Sequence, residues 1–217
     1  MLMLRDPNGL ARALVFLLAA NIAVDLPLAA VDLYTLSLDY TAAGAPDDPF
    51  EAAAEIGLML PVYGLAILLF LATIVVFIVW FHRTRLNAGV WAPDLQSRGA
   101  GWAIGGWFVP LVWFWIPRGI AADIWRSSRP EPYAADRSGE LTVVNVWWAL
   151  WVASNLAARL SGRLEEWAET VDEALTATWW SLAGTGLDIA AAVFAILFVR
   201  RVTSMQNAKA NGMIPAA

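Results

Sequence analysis

Asn21, Asp25, Asp32 and Thr35 stand inside an otherwise apolar run from about Leu10 to Leu38. At 100° per residue the amide and the two acids fall within about 40° of one another, and Thr35 extends the same stripe. A charge in hydrocarbon is costly, so this stripe must face protein or water. A second polar set, Ser181, Gly184, Thr185 and Asp188, recurs at spacings of three and four in the run Leu175–Val199. A third, Asn145, Ser154, Asn155 and Arg159, lies in Leu141–Ser161. Two chemistries follow. Asp32 and Arg159 fall at similar depth, which predicts a buried ion pair hydrogen-bonded to Asn155. Asp25 and Asp188 have no evident cationic partner. They are candidates, with Asn21 and Thr185, for a proton or cation site near the membrane midplane. The plainer reading makes the same groups hydrogen-bonding anchors of helix packing.

The thirteen tryptophans divide by position. Trp80, Trp91, Trp102 and Trp125 fall at one predicted membrane boundary, and Trp167, Trp179 and Trp180 at the other, as interfacial anchors do. Trp107, Trp113, Trp115, Trp147, Trp148 and Trp151 do not. They either line a groove for lipid or another apolar ligand or fill a helix-bundle core. Other chemistry is scarce. The chain has no cysteine, which excludes disulfides and thiol catalysis, and a single histidine, His82. Nothing in the sequence asks for a metal or a cofactor. GTGLD at Gly184–Asp188 resembles an intramembrane aspartyl-protease signature but is off by one residue.

The elements that must carry these residues are membrane helices. The chain is 59% hydrophobic and 15% charged, far from the roughly 25% charged residues of a soluble domain. Four runs, about 10–38, 56–81, 141–161 and 175–199, can each cross a hydrocarbon core of about 30 Å. Arg5 and Arg12 before the first run imitate a signal peptide, but the run is too long for a signal core and reads as a span. Asp48-Pro49-Phe50-Glu51 carries cap, proline and capping-box acid for the second helix. The segment from about Gly101 to Ser127 is apolar but interrupted by Pro110 and Pro117. If it enters and leaves on one side, twelve of the fourteen basic residues lie inside and only Arg159 and Arg163 outside. If it crosses, the split is seven against seven, which is no bias. The expectation is therefore one all-α transmembrane domain: four spans, a re-entrant or interfacial hairpin at about 101–127, and both termini cytoplasmic. Outside it leaves an acidic loop (Asp39, Asp47, Asp48, Glu51, Glu55) and an amphipathic helix at about 163–174.

Three stretches carry a wider pattern: WFHRTRLNAGVWAP at Trp80–Pro93, GWAIGGWFVPLVWFWIPRGIAADIWRSS at Gly101–Ser128, and VVNVWWALWVASNLAARLSG at Val143–Gly162. Together, over roughly Gly64–Gly162 and with the last span as a candidate extension, they resemble a family of bacterial multi-pass membrane proteins known as domain of unknown function 4328. Where that family often places an asparagine after the first proline of the middle stretch, this sequence has Trp113. The resemblance implies a bacterial plasma-membrane protein and implies no reaction. The functional expectation is a non-enzymatic scaffold, sensor or partner-binding module. Its partners are membrane lipid and either a second copy or another membrane protein, with no nucleic acid. Two alternatives stay open: a small oligomeric proton- or cation-linked transporter or channel using Asp25 and Asp188, and an intramembrane carboxylate enzyme.

Overall fold

A computed structural model describes residues 4–37 and 49–213, leaving aside the side chains of 49–59 and 213. The acidic loop Asp39, Asp47 and Asp48, the Asp48 cap, and the side chains of Glu51 and Glu55 lie outside the described residues. The described residues are about 81% helical, and no strand occurs among them. The helices are α1 (Asn8–Ser37), α2 (Pro49–Trp91), α3 (Trp102–Gly105), α4 (Ile116–Ser128), α5 (Thr142–Glu166) and α6 (Val171–Met213). Short 3₁₀ turns at Pro93–Leu95 and Val112–Phe114 flank α3 and precede α4. Three stretches are long and apolar enough to cross a membrane: Asn8–Ser37, Leu60–Trp91 and Val171–Gly212. α5, also expected to span, has 25 residues but carries the polar side chains named above.

Two sequence expectations change here. α2 and α6 have 43 residues each, about 64 Å at 1.5 Å per residue, so both run far past the expected span ends near 81 and 199. The amphipathic helix expected at 163–174 is split: its first part ends α5 and its second begins α6. The break is a capping box. Glu173 N–H donates to Thr170 Oγ1 at 3.3 Å, and Glu173 Oε2 accepts from Thr170 N–H at 3.1 Å. This satisfies orphan donors at the start of α6 and ends any continuous helix through Thr170.

The chain forms two compact units. The first comprises Met1–Leu18, Thr73–Ala149 and Val193–Ala217. Its core is aromatic. Phe77 stacks on Phe81 at 5.5 Å, and Trp107 meets Phe77, Phe81 and Trp148 edge-on. Phe198 stacks on Trp147 at 5.1 Å and on Trp125 at 6.4 Å. Trp80 and Trp125, expected as lipid-facing anchors, are instead buried in this core, because Phe198 of α6 packs against both rings.

A buried amide hub joins four segments of the same unit. Asn87 Oδ1 accepts from Arg5 N–H, and Asn87 Nδ2 donates to the Arg5 carbonyl and to Gln206 Oε1. Gln206 Nε2 donates in turn to the Thr84 carbonyl and to Ser128 Oγ. Lys209 Nζ donates to the Ser127 and Arg129 carbonyls at 3.0 Å each, satisfying the end of α4 while lying over the Trp91 ring. Asp123 accepts from the Ser97 amide and hydroxyl, and the buried Arg85 donates to the Arg98 carbonyl, so the α2–α3 connection is held at both sides. In the connection after α4, Arg126 binds Asp136 through two nitrogens and Arg129 binds Glu140 at 2.7 Å. The Arg126 guanidinium holds the Asp136 carboxyl below its usual range. The Arg137 amide, followed by Arg129, does the same for Glu140.

The segment expected at 101–127 is no single helix. Gly106 closes α3 against the start of α4: a Cβ there would lie 2.7 Å from the Trp102 carbonyl and 3.0 Å from Ile116 Cγ2. Gly101 and Gly105, by contrast, have nothing within 4 Å of a Cβ. Between them and α4, Phe108, Leu111 and Trp115 are largely exposed, and Leu111 adopts φ 66°. A leucine in the left-handed region is strained, and it marks the reversal of the chain.

The second unit comprises Ala19–Ala72 and Leu150–Ala192. Its α5–α6 contact is built from small residues. Ala157 and Ser161 on α5 are buried, as are Ala177, Gly184 and Ala191 on α6. A Cβ on Gly184 would sit 3.4 Å from both Ala157 Cβ and the Ala158 nitrogen, so glycine permits the approach. Ser161 Oγ donates across the contact to the Ala177 carbonyl at 2.9 Å. Ser161→Ala is expected to lower stability by about 0.5–1.5 kcal/mol, read as a shift of the unfolding midpoint in detergent.

Candidate functional site

One face of α5 lines a cavity of about 430 Å³ in the second unit. Trp151, Ser154, Asn155, Ala158, Ser161, Gly162 and Glu165 recur at spacings of three, one and three, the signature of one helical face. α6 closes the opposite side with Ser181, Gly184, Thr185 and Asp188 at i, i+3, i+4 and i+7. α1 contributes Asp25 and α2 contributes Phe70. The polar stripes read from three separate runs of sequence therefore converge on one space.

Within it, Ser154 Oγ donates to Asp188 Oδ1 at 3.3 Å. Asp188 keeps exposed surface, so the cavity admits solvent as far as this carboxylate. Asp25 is half-buried, and its Oδ2 has no hydrogen-bond partner. Thr185 Oγ1 donates back to the Ser181 carbonyl within α6. The lining contains three carboxylates, Asp25, Glu165 and Asp188, and no lysine, arginine or histidine. Such a wall attracts positive charge.

The other expected groupings come apart. Asp25, Asp188 and Thr185 share the cavity, whereas Asn21 is not in its lining. Asn155 Nδ2 donates to the Trp151 carbonyl at 2.7 Å, one turn back on its own helix. The ion pairs among the described residues join Arg126 and Arg129 to Asp123, Asp136 and Glu140 and do not include Asp32 with Arg159. A carbonyl within α5 thus takes the place expected for the acid as the partner of Asn155. Arg159 instead lines a separate recess with Leu160, Arg163 and Glu166.

The six-tryptophan groove is also divided. Trp107, Trp147 and Trp148 pack on each other and on Phe77 and Phe81, so their rings fill the space expected for a ligand. Trp148 Nε1 also donates to the Phe114 carbonyl at 3.0 Å. Trp113 stacks on Phe114 at 4.1 Å, and Trp115 is exposed. Trp151 alone of the six lines the carboxylate cavity. Sequence reasoning missed Glu165 as a member of this site. It was legible as a continuation of the α5 stripe, at i+11 from Ser154.

The model of the domain of unknown function DUF4328 matches residues 45–204. The chain belongs to that family. Neither a curated protein nor a solved structure matches it. The DUF4328 match extends beyond the stretch expected from the tryptophan and proline motifs. It takes in α5 whole and α6 to Ser204, and so contains every residue of the cavity lining except Asp25. Family membership and apolar helices make this a membrane protein of a family of unknown function.

Proposed function

We propose that this DUF4328 protein is a non-enzymatic ligand-binding module of the bacterial plasma membrane, holding a small ligand in the α5–α6 cavity. The observation that carries the reading is the convergence of Asp25, Asp188 and Thr185 on one solvent-reaching space. Four spans, α5 among them, place both termini in the cytoplasm by the distribution of basic residues. On that topology the Glu165 end of α5 faces outward and the cavity opens there. The Gly106 closure and the Leu111 reversal support a hairpin that enters and leaves on the cytoplasmic side. Its exposed Phe108, Leu111 and Trp115 face lipid. His82 Nδ1 lies 3.2 Å from the Ala100 carbonyl oxygen, which supports a structural rather than a catalytic role for the lone histidine.

A second reading, an oligomeric cation-linked transporter, is favoured only by the same carboxylates. A single bundle of this size needs a partner copy to enclose a path through the membrane.

Because the chain lacks cysteine, the reading can be tested with single-cysteine variants and a membrane-impermeant thiol reagent. Thr185→Cys is expected to be labelled on intact cells, and Ala134→Cys only after lysis. Labelling of Ala134→Cys from outside would overturn the topology. Protection of Thr185→Cys in both intact and lysed cells would mean the cavity is closed.

A further inference from the structure

From the dimensions and charge of the cavity we infer that its ligand is a linear polyamine of about tetra-amine length. The inference rests on the ligand-binding reading above and adds the ligand's class.

The shape is the first argument. Ser154, which holds Asp188, and Glu165 lie on the same face of α5, eleven residues apart. At about 1.5 Å per residue they are separated by roughly 16 Å along the helix. The cavity is therefore a trough with carboxylates at both ends: Asp25 and Asp188 at the Ser154 end, and Glu165 at the end of α5.

The size is the second. About 430 Å³ would hold about 14 waters at ~30 Å³ each, far more space than a bare metal ion needs. It lies in the range of organic-ligand pockets, roughly 300–1,000 Å³.

The chemistry is the third. No cationic side chain in the lining neutralises the three acids. Asp25 Oδ2 is buried without a hydrogen-bond partner and can accept one from an ammonium. The faces of Trp151 and Phe70 suit a cationic chain. Between the two charged ends the walls are Asn155, Ala158, Ser161, Gly162, Ser181 and Gly184, small uncharged residues that leave room for the methylenes and secondary amines of an aliphatic chain. An extended chain advances roughly 1.2 Å per bond, so about 13 bonds span the trough. A tetra-amine such as spermine has that reach. A four-carbon diamine cannot span the trough and sits at the Asp25–Asp188 end, where two carboxylates face it rather than one.

The test is calorimetric titration of the purified full-length protein in mild detergent with spermine, putrescine and magnesium chloride at matched ionic strength. Spermine is expected to bind at least tenfold more tightly than putrescine, and magnesium not to compete at equal charge. Glu165→Gln is expected to weaken spermine about tenfold and leave putrescine unchanged. Asp188→Asn should weaken both. Glu165 is exposed at the mouth, so its variant folds even if Asp188→Asn does not. Equal binding of spermine and putrescine, competition by magnesium, or an unchanged spermine affinity in Glu165→Gln each overturns the inference. If the polyamine fails to bind while Thr185→Cys still labels from outside, the ligand class is wrong and the cavity reading stands. If both fail, the cavity reading falls as well.

Discussion

Replacing Trp80 with alanine is expected to destabilise the protein by about 3–5 kcal/mol, the cost typical of deleting a buried ring. Trp80 is fully buried. Its ring lies 5.9 Å from Phe77 and meets Phe198 edge-on at 5.6 Å, and its Nε1–H donates to Thr203 Oγ1 at 3.2 Å. Alanine leaves a ring-sized void and removes both aromatic contacts. It also strips a buried hydroxyl of its donor. Where the unfolded reference is a helix in lipid, hydrophobic transfer contributes little, and packing carries the cost. That places the value near the lower end, about 3 kcal/mol. Trp80→Phe keeps one ring and loses the N–H, and is expected to cost about 1–2 kcal/mol. Unfolding midpoints of the three proteins in one detergent measure the series. A tryptophan anchored in lipid would give nearly equal midpoints, so a loss under about 1 kcal/mol for Trp80→Ala would discard the buried aromatic core.

The contrast between anchor and core shows where the sequence is informative. Helix positions were legible because apolar runs of about 20 residues have few other uses. The polar face of α6 was legible because Ser181, Thr185 and Asp188 repeat at helical spacing, and the structure turns that face toward the α5 cavity. What spacing cannot supply is the identity of the partner across the contact. Asp32 and Arg159 match in charge and depth, yet the ion pairs among the described residues do not include them with each other. A tryptophan beside an apolar run reads the same whether lipid or Phe198 covers it, so Trp80 and Trp125 were misplaced. The amide hub of Asn87 and Gln206 was hidden for the same reason: each is an ordinary polar residue near a helix end until the other stands beside it. The capping box at Thr170–Glu173 was different. Its four residues are contiguous, its hydrogen bonds are local, and it could have been read directly.

Gly106→Val is expected to cost about 1–3 kcal/mol, toward the upper end, while Gly105→Ala is expected to be nearly neutral. Gly106 has φ −60° and ψ −19°, an ordinary helical conformation, so the cost is steric rather than conformational. Its Cβ would meet the Trp102 carbonyl at 2.7 Å and Ile116 Cγ2 at 3.0 Å. The first is backbone and has no rotamer through which to escape. The two γ-methyls of valine add volume where α3 must close on the start of α4, so the closure opens. Gly105, one residue earlier, would place its Cβ in open space. The pair tests the hairpin through the sign of the effect. In one continuous membrane helix a bulkier residue in place of glycine would relieve backbone entropy and leave stability equal or higher. In a hairpin closed at Gly106 it must lower it. Unfolding midpoints that fall for Gly106→Val and hold for Gly105→Ala would select the hairpin. Two unchanged or raised midpoints would select a straight span, and the basic residues after α4 would then lie outside the cell.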